Sequence, residues 1–154
     1  MDALYSISST VHTLAAVIWV GSMFFAHMIL RPALMQEKAG IRLGVWSEVF
    51  TRFFKWVWAA IILLALTGYI MVGEIGGFEV SGLHVRVMHG LFWVMTALFT
   101  YLFFKPYTAF KSDDVADNIE AGAKHLAGIR RIVIINLTLG LLQIILGVSG
   151  RFYA

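Results

Sequence analysis

Four stretches of about 18–20 residues without a single charged side chain constrain this chain more than any other feature. The first runs from Val11 to Leu30 and extends back to Ala3. The second lies between Lys55 and Glu74, the third between Arg86 and Lys105, and the fourth between Arg131 and Arg151. At about 1.5 Å of rise per residue, each can cross about 30 Å of hydrocarbon, and a segment surrounded by lipid must satisfy its own backbone as a helix. Composition leaves no aqueous alternative. The chain is 60% hydrophobic and 14% charged, against about 45–50% and about 25% in soluble domains, and 154 residues cannot bury that apolar fraction in water. The predicted fold is all-α: a single-domain integral membrane four-helix up-down bundle over 1–154, with spans at about 8–30, 54–73, 86–105 and 130–150.

Only Met1-Asp2 precede the first apolar stretch, without Lys or Arg, so this span is expected to stay as an anchor rather than be cleaved as a signal. Of the 12 Lys and Arg residues, Arg31, Lys38, Arg42, Arg52 and Lys55 flank the first connection, and Lys105, Lys111, Lys124, Arg130 and Arg131 flank the third. Arg86 and Arg151 remain for the other side. The positive-inside rule then puts both termini outside (periplasmic) in a bacterial inner (cytoplasmic) membrane. It also accounts for the net charge of +3 without nucleic acid as a partner. Ser112-Asp113-Asp114 reads as a helix N-cap, with a helix running from there into the fourth span. Gly40 and Gly44 interrupt the first connection, which leaves room for a short interfacial helix at most. Gly73-Glu74-Ile75-Gly76-Gly77 reads as a tight turn.

No Cys is present, which excludes disulfides, thiolate metal sites and covalently attached haem. No Asp or Glu lies inside a span, so the usual carboxylate relay of pumps is missing. What the spans hold is His12, His27 and His89, with His84 at the outer boundary and His125 at the inner one. His12 lies about 27 Å above the inner end of its helix and His89 about 24 Å above the end of the third, so the two imidazoles are level. Diagonal helices in a square bundle are roughly 11–14 Å apart, a gap that a flat macrocycle fills. The expected site is therefore a haem b held by His12 and His89. Arg86 would pair with a propionate, Gly68 would admit the macrocycle, and Trp19 shares a face with His12. His84 competes with His89 as the third-helix ligand, since the two point about 140° apart. A second haem would take His27 and His125. Copper is the alternative cofactor, through the i, i+4 pairs Met23/His27 and His84/Met88. On the fourth span, Asn136, Gly140, Gln143 and Gly147 form a polar and small stripe that suits either a site or helix packing.

His12-Thr13-Leu14-Ala15-Ala16-Val17-Ile18-Trp19-Val20-Gly21, continuing to Arg31-Pro32, resembles the first helix of CopD-type membrane domains and is similar to that of the HemJ-type protoporphyrinogen oxidases. Thr67-Gly68, Gly82-Leu83-His84-Val85-Arg86, and Arg131 with Asn136 extend the likeness to all four spans. Arg86 stands where the HemJ group has lysine, and Asn136-Leu137-Thr138 stands where it has Asn-Glu-Pro. The resemblance implies a four-helix membrane domain tied to copper uptake or resistance in one branch, and to haem redox chemistry with a haem-associated His12 in the other. The function expected is that of a membrane b-type cytochrome moving electrons near the outer face. Its redox partner would be a quinone or a periplasmic protein, and it would be a candidate homo-oligomer. The alternatives are a copper-binding or copper-transport protein, and a haem-dependent oxidase of a porphyrinogen or superoxide.

Overall fold

The structure, a computed structural model, describes residues 3–112 and 118–152. Four long helices account for nearly all of it: α1 (Ala3–Leu34), α2 (Ala39–Glu74), α3 (Leu83–Lys111) and α4 (Ile119–Ser149), with a closing 3-10 turn at Gly150–Phe152. Each is long and apolar enough to span a bilayer. In the most apolar window of each helix only 17% to 28% of the residues are buried. The rest, including Leu14, Trp56, Leu66 and Val148, faces outward, an apolar exposure that only lipid tolerates.

The helices overrun the charge-free stretches, most of all at the basic end. A scan for uncharged residues reads only the part in hydrocarbon, whereas helical hydrogen bonding continues into the headgroup region. The first connection comprises only Met35–Lys38, and the short interfacial helix for which the sequence left room is not a separate element. Gly40 and Gly44 lie inside α2 instead, with nothing within 4 Å of an added Cβ at either. The expected cap at Ser112-Asp113-Asp114 falls largely outside the described residues. The cap observed for α4 is Asn118, whose Oδ1 accepts from the Ala121 N–H at 3.1 Å, with Glu120 in the first turn. The second connection is the tight turn expected. Gly76 and Gly77 have φ of 98° and 99°, and the Gly77 N–H reaches back to the Val72 carbonyl at 2.8 Å, which only glycine does without strain.

Two π turns, Ala26–Leu30 and Phe103–Tyr107, widen α1 and α3 near the basic end. The second contains Pro106 and the first immediately precedes Arg31-Pro32. A proline cannot donate to the preceding turn and crowds its carbonyl, and a local i→i+5 turn absorbs both effects without ending the helix.

α1 packs along α2, α3 packs along α4, and α4 also touches α1 and α2. The backbones of α2 and α3 stay apart, and rings fill the space between them. Phe54 packs on Phe99 at 5.4 Å, on Phe103 at 6.1 Å and on Tyr107 at 4.7 Å, while Trp58 meets Phe99 at 5.2 Å. The stripe on α4 does the opposite and draws helices together. Asn136 donates to the Met95 carbonyl at 3.2 Å and Gln143 to the Met88 carbonyl at 3.0 Å. Gly140 lets Val20 and Met95 approach the α4 backbone. The stripe is a packing and hydrogen-bonding seam.

Candidate functional site

The histidines at the end of the bundle opposite the basic connections form separate constellations. His12 Nδ1 on α1 lies 2.9 Å from Thr67 Oγ1 on α2. That hydroxyl donates its own proton to the Leu63 carbonyl at 2.6 Å. Toward the imidazole it must therefore accept, so Nδ1 carries the ring proton. In that tautomer the lone pair of the ring sits on Nε2. Thr67 is buried, and a Cβ on Gly68 would lie 3.4 Å from His12 Cε1. That is an ordinary van der Waals distance, so the residue expected to border a macrocycle packs directly beside the His12 ring. Removing the hydroxyl while keeping the shape, as in Thr67→Val, should return His12 to a mixture of tautomers. Nitrogen-15 spectra of histidine-labelled protein would show this, and an unchanged Nδ1–H signal would refute the assignment.

His89 on α3 is differently occupied. Trp93 Nε1 and Tyr69 Oη each lie 3.0 Å from its Nε2, and the Phe78 ring packs on it at 4.8 Å. An indole N–H only donates, so Nε2 holds the lone pair and that lone pair is already engaged. His12 meets α2 at Thr67 and His89 meets it at Tyr69, residues projecting about 200° apart. The two rings therefore meet α2 through different side chains, the Thr67 hydroxyl and the Tyr69 phenol. The other residues expected around a haem also have protein partners. Arg86 is exposed and donates from Nη2 to the Ser81 carbonyl at 3.2 Å, closing the second connection. Trp19 is 2% exposed and edge-on to Phe99, a core residue. Tyr69 and Trp93 were missed from sequence, although Trp93 stands one turn from His89 at i, i+4.

His84 and Met88 form the second constellation. They follow one another on the face of α3 that packs on α4. A Cβ on Gly150 would fall 2.5 Å from His84 Cγ, and one on Gly147 would fall 3.2 Å from Met88 Cε. Two small residues in the last turns of the α4 region thus receive an imidazole and a thioether side by side. Met23, the other thioether considered, is 2% exposed in the core. At the basic end His27 lines a narrow groove with Arg31, Trp46 and Arg130, while His125 lies five residues before Arg130 on α4. Among the described residues no three His, Cys, Asp or Glu side chains gather into a metal-binding group.

Together these features define an integral membrane four-helix protein, in which the buried polar side chains among the described residues are Ser8, Thr67, Ser81 and Asn136, none of them a carboxylate. The sequence matches the family model of copper resistance protein D (CopD) over residues 47–149, more than half of the chain. This chain belongs to that family, which is tied by name to copper resistance. The match starts within α2, so it takes in His84, Met88 and the α4 stripe and leaves His12 outside. No curated protein and no solved structure matches the sequence.

Proposed function

We propose that this protein handles copper as cargo in a cytoplasmic membrane, and that His84 and Met88 are the pair that meets Cu(I) at the outer end of the bundle. The orientation rests on the concentration of Lys and Arg in the first and third connections. The observation that carries the site is the placement of an imidazole and a thioether one helical turn apart, against Gly147 and Gly150. Thioether and imidazole are soft enough for Cu(I). Family membership supports copper over other soft metals.

Purified protein should bind about one Cu(I) per chain in competition with a chromophoric chelator. His84→Ala and Met88→Ala should each weaken binding about tenfold or more, a loss typical of damage to a metal site. His125→Ala should leave it unchanged. A double His84→Ala/Met88→Ala variant that competes as well as wild type would sink the assignment. Haem b is the second reading, favoured by the tautomer that leaves His12 Nε2 with a lone pair. Coordination by both His12 and His89 requires His89 to give up its bonds to Tyr69 and Trp93. A red preparation whose Soret band shifts on dithionite reduction and is lost in His12→Ala would favour haem. A colourless one that binds Cu(I) favours copper.

A further inference from the structure

At the basic end of the bundle, away from the proposed copper pair, α1, α2 and α4 enclose a cavity of about 250 Å³. Three guanidinium groups line it: Arg31 from α1, Arg42 from α2 and Arg130 from α4. No carboxylate lines it among the described residues. Arg31 and Arg42 act on Arg130 as like charges, and Arg31 Nε is buried without a hydrogen-bond partner. The ion pair observed among the described residues, Arg52–Glu48, sits elsewhere between exposed side chains. Three positive charges converging on a partly buried space repel one another unless an anion joins them, and the guanidinium fork fits a phosphate.

The cavity continues into a narrower groove that shares Arg31, Trp46 and Arg130 with it. The residues that distinguish the two run in order along the helices. On α2 the cavity has Ala39 and Arg42, and the groove has Phe50 and Phe53. On α4 the cavity has Ala123 and Leu126, and the groove has Ile129 and Val133. On both helices the groove is therefore one to two turns nearer the membrane centre, and apart from His27, Arg31 and Arg130 it is lined by apolar side chains, most of them aromatic or branched. Charge at the water edge and hydrocarbon deeper in the bilayer is the polarity gradient of a phospholipid.

We propose that this site binds an anionic phospholipid, with its phosphate among Arg31, Arg42 and Arg130 and an acyl chain lying on the lipid-facing side along the apolar residues of the groove. The test compares unfolding midpoints of the full chain in detergent doped with phosphatidylglycerol, with phosphatidylcholine, or with inorganic phosphate alone. Native mass spectrometry counts the lipids retained. Phosphatidylglycerol should raise the midpoint saturably with one lipid per chain, while neither phosphatidylcholine nor inorganic phosphate does so. Arg42→Gln and Arg130→Gln should each weaken the phosphatidylglycerol effect about tenfold. Lys55→Gln, which removes an exposed charge from α2 outside the cavity, should change it by less than about twofold. Equal effects of the two lipids, reproduction of the shift by inorganic phosphate alone, or full retention in both arginine variants would each overturn the proposal. The lipid comparison on the unmodified chain decides the matter even if an arginine variant fails to fold.

Discussion

Phe54→Ala should destabilise the bundle by about 3 kcal/mol, whereas Trp56→Ala, two residues away, should change stability by less than about 0.5 kcal/mol. Phe54 is 2% exposed and packs on Phe50, Phe53, Phe99, Phe103 and Tyr107. It occupies the space where the α2 and α3 backbones do not meet. In an aqueous core a Phe→Ala change costs about 3–5 kcal/mol, part of it because the unfolded chain exposes the ring to water. Here the separated helices stay in lipid, so that part is small and the loss is mostly packing and ring–ring contact. The lower end of the range follows. Trp56 is 63% exposed on the outer face, and lipid takes the place of the indole when it is removed. Reversible unfolding in mixed detergent micelles measures both. Equal costs at the two positions would show that ring burial between helices is not what holds α2 to α3.

Gly140→Ala should cost about 1–3 kcal/mol, the range for overpacking a close-packed interior. The added Cβ would fall 2.8 Å from Val20 Cγ2, 3.3 Å from Val20 Cγ1 and 3.4 Å from Met95 Cε. Valine has no flexible end to swing away, so α1 and α4 must separate. The effect should be specific to this crossing. Gly21→Ala and Gly90→Ala place a methyl group where nothing lies within 4 Å, and should be neutral or slightly stabilising through helix propensity. Pairing Gly140→Ala with Val20→Ala should recover a large part of the loss, which a double-mutant cycle reads as coupling between the two sites. Purely additive costs would mean that the contact is relieved elsewhere. Because Asn136 and Gln143 flank Gly140 on the seam, Gly140→Ala should also loosen the alignment of His84 and Met88 and weaken Cu(I) binding along with stability.

Four spans, their up-down order and the basic end followed from sequence because lipid imposes rules that depend only on local composition. An uncharged run of sufficient length must be a helix, and Lys and Arg stay with the headgroups. The inward stripe on α4 was equally legible, since period and residue size suffice to mark it. The pairing of side chains was not. His12 and His89 do lie in the expected helices, yet depth along an axis says nothing about which partner each ring turns to. Thr67 claimed one imidazole, while Tyr69 and Trp93 claimed the other. The three arginines at the basic end read from sequence as a signal of orientation. Only the packing of α1, α2 and α4 showed them around one cavity. Rotation of each helix about its axis is set by contacts between distant residues, such as Gly140 with Val20 or Phe54 with Tyr107. Those contacts, not the local pattern, decide what the polar groups face.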